Sequence, residues 1–206
     1  MARLEVITGP MFSGKSEELV RRMGRSAWAN RRILLVKPSS ENRGARNIFC
    51  LIEGDEARKI EGNKKLKGYD RLAKRSLEHS KELRNLVDSF RPELIVLDEA
   101  QFFGPDILKY LEELLEKYKS KNFTVIAAGL DMDAWRRPFG IMPQLLAMAD
   151  EVLKLTAICL VCQDENGPAI FTQKKGGTGE QVEVGDTELY EARCRTCHTI
   201  PKEDSA

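Results

Sequence analysis

The first candidate for chemistry is a glycine-rich run near the amino terminus with the pattern Gly-x-x-x-x-Gly-Lys-Ser. Its residues are Gly9, Pro10, Met11, Phe12, Ser13, Gly14, Lys15 and Ser16. The run follows a short apolar segment and precedes an amphipathic one, which is the strand-loop-helix context of a phosphate-binding loop. The backbone N–H groups of such a loop surround a phosphate, and the following helix directs its positive end at it. The pattern therefore predicts a nucleoside triphosphate site, in which Lys15 reaches the β- and γ-phosphates and Ser16 binds Mg²⁺.

A pair of acids, Asp98 and Glu99, directly follows the apolar run at residues 94–97. In a P-loop protein, an acid at the end of a neighbouring buried strand belongs to the Mg²⁺ site, and Asp98 takes this role. Glu99 then lies at the carboxyl edge of the sheet and can accept a proton from an attacking hydroxyl or water. The pair predicts either a kinase or an ATPase. We favour a kinase, because a motor ATPase generally needs a second domain for which this chain has little room.

Two CxxC pairs near the carboxyl terminus form a second candidate centre. Cys159 and Cys162 make the first pair, and Cys194 and Cys197 make the second. Four thiolates can form a tetrahedron around Zn²⁺, which closes the coordination sphere and leaves no position for catalysis. A redox-active CxxC is the alternative, although it normally opens a helix in a thioredoxin-like unit that is not evident here. The sequence predicts a structural zinc site, with His198 as a surface histidine and not a ligand.

The segment between the two cysteine pairs, residues 163–193, is the predicted lasso. It contains a glycine-rich stretch at residues 176–179. Zinc would fix both of its ends, and a fixed, glycine-rich segment beside a phosphate loop is suited to closing over a small substrate.

Short apolar runs and amphipathic segments define the elements that must position these groups. The runs at residues 4–8, 33–36, 94–97 and 124–128 predict buried strands, and residues 152–155 predict one more. Helical patterns separate them, so we predict an α/β fold with a mainly parallel sheet covered on both faces. We place a boundary near Thr156, between a P-loop domain at 1–155 and a small zinc-binding lasso domain with the tail at 156–206. The charged, glycine-containing composition of residues 41–75 predicts a flexible insertion or a loose hairpin.

The charge balance limits the partners. Over 206 residues the formal net charge is +1, so the field of the whole protein offers no general attraction to nucleic acid or to an anionic membrane. No apolar stretch approaches the ~20 residues that span a bilayer, and no signal-peptide core precedes the first strand. We therefore expect a cytoplasmic protein with no nucleic acid or membrane partner.

Taken together, the motifs resemble the zinc-containing thymidine kinase family of the cytosol and of many bacteria. Besides the phosphate loop and the CxxC pairs, the matching segments are Lys37-Pro38, Asp98-Glu99-Ala100-Gln101-Phe102-Phe103, Gly129-Leu130-Asp131, Pro138-Phe139-Gly140 and Tyr190-Glu191-Ala192-Arg193-Cys194. The resemblance implies a RecA-like domain that transfers the γ-phosphate of ATP to the 5′-hydroxyl of thymidine or deoxyuridine. It also implies Mg²⁺ and Zn²⁺ as cofactors, a homotetramer, and feedback inhibition by the triphosphate product.

The resemblance also implies roles for individual residues. Glu99 is the general base, Lys15 stabilises the phosphates, and Asp98 and Gln101 belong to the ATP site. The residues implied to bind the nucleoside are Met11, Phe102, Leu130, Phe139, Thr172, Val182, Tyr190 and Arg43.

The chain departs from the family pattern in the region of the nucleoside pocket. The family usually has Phe where this chain has Ala134, which is followed by Trp135, and Glu41 and Asp186 also differ from the usual residues. The phosphoryl-transfer residues are intact, so these departures bear on the choice of nucleoside. Two other functions stay open at this point: a P-loop ATPase that binds nucleic acid, and a nucleotide sensor without catalysis.

Overall fold

A computed structural model describes residues 1–38, 47–52, 75–77, 80–164, 167–176 and 188–201. The strands of its main sheet are β1 (Arg3–Thr8), β2 (Ile33–Pro38), β3 (Asn47–Ile52), β4 (Arg75–Leu77), β5 (Leu94–Leu97), β6 (Thr124–Gly129) and β7 (Glu151–Lys154). A separate antiparallel pair consists of β8 (Phe171–Lys174) and β9 (Tyr190–Arg193). The helices are α1 (Lys15–Trp28), α2 (Ser80–Phe90), α3 (Asp106–Lys117) and α4 (Met142–Met148).

The main sheet has the strand order β4-β3-β2-β5-β6-β1-β7. Neighbours from β2 to β7 are parallel, whereas β3 is antiparallel to β2 and β4 is antiparallel to β3. The predicted RecA-like α/β fold with a mainly parallel sheet is confirmed. The helices of the described ranges include none that is long and apolar enough to cross a membrane.

The predicted insertion at residues 41–75 contributes a strand to this sheet. Residues 47–52 form β3 and pair with β2 along its whole length. Most of the remaining insertion, including Glu41 and Arg43, lies outside the described residues. The division of the chain at Thr156 stays a prediction.

Helices cover both faces of the sheet because alternate side chains of the buried strands point in opposite directions. In β1, Leu4 and Val6 join the apolar cluster under α2, α3 and α4, whereas Ile7 joins the cluster under α1. Helix α1 contributes Leu19 and Met23 to its cluster, four residues apart on one face. The parallel strands are therefore held in register by cores on both sides.

The register brings the ends of the parallel strands to one edge of the sheet. Thr8 at the end of β1 aligns with Gly129 of β6 and with Lys154 of β7. Leu97 of β5 aligns with Val36 of β2 and with Ala127 of β6. The loops that follow these strands, which contain the phosphate loop, the acid pair and the Gly129-Leu130-Asp131 motif, therefore meet at this edge.

Candidate active site

The phosphate loop lies between β1 and α1 and depends on glycine at both ends. Gly9 has φ 145° and Gly14, immediately before α1, has φ 85°. A Cβ atom at Gly9 would lie 2.4 Å from the carbonyl oxygen of Leu155 and 2.9 Å from Ser13 Oγ. Only glycine therefore allows the loop to pack against the residue that follows β7.

Lys15 folds back over the phosphate loop. Its Nζ donates hydrogen bonds to the carbonyl oxygens of Gly9 at 3.0 Å and Pro10 at 2.6 Å. Burial lowers the pKa of Lys15, and the charges of Glu99 and Asp98 partly oppose this effect. The ammonium group thus lies in the concave side of the loop with the acid pair close to it.

The loop also contains a buried polar atom that suits a ligand. Ser13 Oγ is buried and has no hydrogen-bond partner among the described residues. A buried hydroxyl without a partner costs free energy unless a ligand or water satisfies it. Together with the Lys15 ammonium, this atom fits a ligand rich in anionic oxygens, such as the phosphates of ATP.

The acid pair begins where β5 ends. The N–H of Asp98 donates to the carbonyl of Val36 at 2.9 Å, which continues the pairing with β2 beyond the strand. Glu99 then takes the left-handed conformation, with φ 54°, and its N–H donates to Asp98 Oδ1 at 3.0 Å. Burial, and then the charge of Glu99, raise the pKa of Asp98 to about 6. Two adjacent acids, one of them desolvated, fit a site for a divalent cation such as Mg²⁺.

Gln101 connects Glu99 with the loop that follows β6. Its Nε2 donates to Glu99 Oε2 at 2.6 Å, and its Oε1 accepts from the N–H of Leu130 at 3.1 Å. The side chain is buried, at 3% exposure. The structure therefore brings together Glu99, Gln101 and Leu130, which the sequence could place only on two separate loops.

Two of the predicted nucleoside contacts form an aromatic pair. The rings of Phe102 and Phe139 lie edge to face, with centroids 5.5 Å apart. The N–H of Phe139 donates to the carbonyl of Asp131 at 3.1 Å, and Asp131 forms an ion pair with Lys154 at 2.6 Å. No sequence motif links Asp131 to Lys154, so sequence analysis did not predict this ion pair.

The β8–β9 hairpin contacts the phosphate loop directly. The N–H of Met11 donates to Thr172 Oγ1 on β8 at 3.0 Å. Tyr190 is buried on β9, opposite Lys174 of β8. Of the remaining predicted nucleoside contacts, Val182 and Arg43 both lie outside the described residues.

The four cysteines of the CxxC pairs form one cluster. The Sγ atoms of Cys159, Cys162, Cys194 and Cys197 all lie within 4.8 Å of one another. A tetrahedron with Zn–S bonds of about 2.3 Å places its sulfurs about 3.8 Å apart, and the Sγ atoms of Cys162 and Cys194 are separated by 3.8 Å. The cluster fits Zn²⁺.

The prediction that His198 is a surface residue is wrong. Its side chain is only 5% exposed, and its ring packs 5.0 Å from that of Phe171. Arg136 donates from Nε to His198 Nδ1 at 3.1 Å and from its terminal nitrogen to the His198 carbonyl at 3.0 Å. These hydrogen bonds satisfy polar groups that burial would otherwise leave without partners.

The loop that carries Ala134 and Trp135 packs against the β8–β9 hairpin. Both side chains are buried, and Lys174 of β8 lies 5.6 Å from the centre of the Trp135 ring. Asp133 Oδ1 accepts hydrogen bonds at 2.9 Å from the N–H groups of Trp135 and Arg137. Asp commonly forms such a turn with the N–H two residues further on, which is a signal that sequence analysis could have used.

A glycine substitution tests how tightly this loop is packed. Gly140 has φ 52°, and a Cβ atom there would lie 2.0 Å from the carbonyl oxygen of Gln101. We expect Gly140→Ala to lower the free energy of unfolding by at least about 2 kcal/mol, because it combines left-handed strain with a backbone clash. The measurement is chemical denaturation. A Cβ atom at Gly176 would have no atom within 4 Å, so Gly176→Ala is the matched control. It should change the free energy of unfolding by less than about 0.5 kcal/mol. Equal effects of the two substitutions would contradict this packing.

Comparison with known proteins identifies the family. The family model described as thymidine kinase matches residues 2–198. The chain belongs to the thymidine kinase family. It is 40% identical to the thymidine kinase of Mycoplasma mobile over 195 residues, covering 95% of this chain and 86% of that protein. The thymidine kinase of Mesomycoplasma hyopneumoniae strain 7448 is 38% identical over 197 residues, covering 96% and 95% respectively.

Family membership confirms the predicted resemblance and the cofactors. Thymidine kinases use ATP and Mg²⁺, and the phosphate loop and the acid pair provide groups that fit both. The four-cysteine cluster provides the site that fits Zn²⁺.

Proposed function

We propose that this protein is an ATP-dependent thymidine kinase, which transfers the γ-phosphate of ATP to the 5′-hydroxyl of thymidine. The family match over residues 2–198 is the observation that carries the proposal. The geometry agrees with it, because the phosphate loop and the acid pair follow parallel strands that end at one edge of the sheet.

The chain's own residues supply positioning and charge. The loop N–H groups and Lys15 would hold the phosphates, and Ser16 and Asp98 would hold the cation. ATP would bring the phosphoryl group, and Mg²⁺, when bound, would offset the negative charge on its oxygens. Glu99 accepts the proton of the 5′-hydroxyl as that oxygen attacks.

The acceptor pocket lies where the loop after β6, the turn after β5 and the zinc domain meet. We propose that the flat thymine ring of the nucleoside packs on the aromatic surface of Phe102 and Phe139. An aromatic pair and a few hydrogen bonds suit a small planar ligand. The other pocket residues in this proposal are Met11, Leu130, Thr172, Tyr190, Val182 and Arg43.

We also infer that the protein is a cytoplasmic homotetramer, on the basis of the family resemblance. Light scattering coupled to gel filtration tests the assembly and should give four times the mass of one chain. Fractionation of the source cells tests the location, and recovery with the membrane pellet would contradict it.

A nucleoside panel tests the proposed activity. The purified protein is incubated with ATP, Mg²⁺ and each of several pyrimidine and purine nucleosides, and 5′-monophosphates are separated by chromatography. We expect thymidine to be phosphorylated and purine nucleosides to be left unchanged. Lys15→Met, prepared in the same way, controls for contaminating kinases.

The same panel, extended by ATP-binding measurements and by ATP hydrolysis assays with and without DNA, separates the alternatives. Absence of a 5′-monophosphate from every pyrimidine nucleoside would contradict the proposal. ATP hydrolysis stimulated by DNA would instead support the ATPase, and ATP binding without any turnover would support the sensor.

A further inference from the structure

Gln101 makes a hydrogen bond to the protein at each end of its side-chain amide. Nε2 donates to Glu99 Oε2 at 2.6 Å, and Oε1 accepts from the N–H of Leu130 at 3.1 Å. One amide therefore joins Glu99, the proposed general base on the turn after β5, to the backbone of Leu130 directly after β6. Both amide atoms therefore have protein partners.

The surrounding glycines fix Gln101 in this position. A Cβ atom on Gly129 would lie 2.5 Å from Gln101 Oε1, and a Cβ atom on Gly140 would lie 2.0 Å from its carbonyl oxygen. The absence of side chains at these two positions allows the backbone on either side to close around Gln101. With 3% exposure, the side chain has little freedom to turn towards a ligand.

The hydrogen bond from Gln101 also determines how Glu99 presents its carboxylate. Because Oε2 already accepts from the Gln101 amide, we assign Oε1 as the oxygen that accepts the proton of the acceptor hydroxyl. The backbone of Glu99 is already set by its left-handed conformation and by its N–H bond to Asp98. Gln101 then fixes the end of the side chain, where proton transfer takes place.

Leu130, the second partner of Gln101, connects Glu99 with the acceptor pocket. Leu130 precedes Asp131, whose carbonyl accepts from the N–H of Phe139 and whose carboxylate pairs with Lys154. The segment bonded to Gln101 Oε1 therefore also positions Phe102 and Phe139, the aromatic pair proposed to hold the nucleobase. Movement of this segment would be transmitted to Glu99 through a single rigid amide.

We infer that Gln101 is a positioning residue for phosphoryl transfer, which orients the Glu99 carboxylate relative to the acceptor pocket and does not bind ATP. This inference rests on the proposed function and departs from the ATP-site role that the family resemblance implied. Because proton transfer needs close alignment, loss of the orientation reduces turnover more than binding.

Steady-state kinetics of Gln101→Met tests the inference, with Gln144→Met on the exposed face of α4 as the matched control. Methionine keeps the length of the side chain and removes both hydrogen bonds. We expect kcat to fall about 10–100-fold, since a displacement of about 1 Å in a catalytic group costs up to 10²-fold. The KM for ATP should stay within about twofold. A tenfold rise in the KM for ATP at unchanged kcat would instead show that Gln101 binds ATP.

A double-mutant cycle with Glu99→Ala supplies a readout that a merely structural role would not produce. If Gln101 acts through Glu99, adding Gln101→Met to Glu99→Ala should change kcat by less than about twofold. The same 10–100-fold loss in both backgrounds would overturn the inference. If Gln101→Met does not fold, as judged by its melting temperature, Gln101→Asn replaces it, because a shorter side chain withdraws the amide nitrogen from Glu99 while staying polar.

The outcomes separate the inference from the proposed function. A wild-type protein that phosphorylates no nucleoside would remove the proposed function and the inference with it. An active wild type together with normal kcat in Gln101→Met would remove the inference alone.

Discussion

Replacing Glu99 by glutamine should lower kcat for thymidine by about 10²–10⁴-fold, which is the usual contribution of a positioned general base. Glutamine has the same shape and can still accept the hydrogen bond from Gln101, so the turn after β5 should keep its conformation. It has no basic oxygen for the 5′-hydroxyl proton. Initial rates of thymidine monophosphate formation measure the effect, and a fluorescent ATP analogue checks that nucleotide binding is retained.

Glu112→Gln provides the control for Glu99→Gln, because Glu112 is exposed on α3, on the outside of the molecule. This substitution also removes one carboxylate charge and should leave kcat within about twofold of the wild type, as surface changes have small effects. An unchanged rate for Glu99→Gln would mean that another group accepts the proton.

Replacing Cys194 by serine should remove zinc from the protein and lower kcat/KM for thymidine by about 10²-fold. Structural zinc sites contribute folding free energy directly, so loss of one thiolate releases the turns on either side of the β8–β9 pair. That pair carries Thr172, which bonds to the N–H of Met11 at 3.0 Å. Release of the pair would therefore disturb the phosphate loop as well as the acceptor pocket, and misplacement of about 1 Å is enough for such a loss.

Zinc content measured by elemental analysis, together with proteolysis of the C-terminal domain, reports the effect of Cys194→Ser separately from catalysis. We expect one zinc per chain in the wild type and rapid proteolysis once zinc is lost. Thr196→Ala, an exposed change between two of the cysteines, should retain both zinc and activity. Full activity of a zinc-free protein would contradict a role for the metal in holding the hairpin.

The parts that local sequence encodes were predictable. The phosphate loop has a fixed spacing, and the apolar runs that became β1, β5 and β6 are bounded by residues that end strands. The four cysteines have a ligand pattern that points to Zn²⁺ regardless of their distance along the chain. The phosphate loop, each strand and each CxxC pair are contained in a short window, where residue type determines conformation or chemistry.

The parts that depend on distant pairing were not predictable in this way. The strand β3 is a short apolar run, Ile48-Phe49-Cys50-Leu51-Ile52, inside an otherwise charged segment, and its place in the sheet depends on its pairing with β2. His198 is buried because Arg136, 62 residues earlier, bonds to it. The bond from Gln101 to Leu130 spans 29 residues, and only the strand order places the two loops side by side.

The position of β6 between β1 and β5 sets the scale of the reaction site. Strands in a sheet lie about 4.8 Å apart, so one intervening strand separates the start of the phosphate loop from the acid pair by about 10 Å of backbone. This gap is too wide for direct backbone contact and wide enough for a phosphate group and a hydrated cation. The strand β6 ends at Gly129, where Gln101 Oε1 and Met142 Sδ fill the space that a side chain would take. The sheet itself therefore acts as the spacer between the phosphate loop and Glu99.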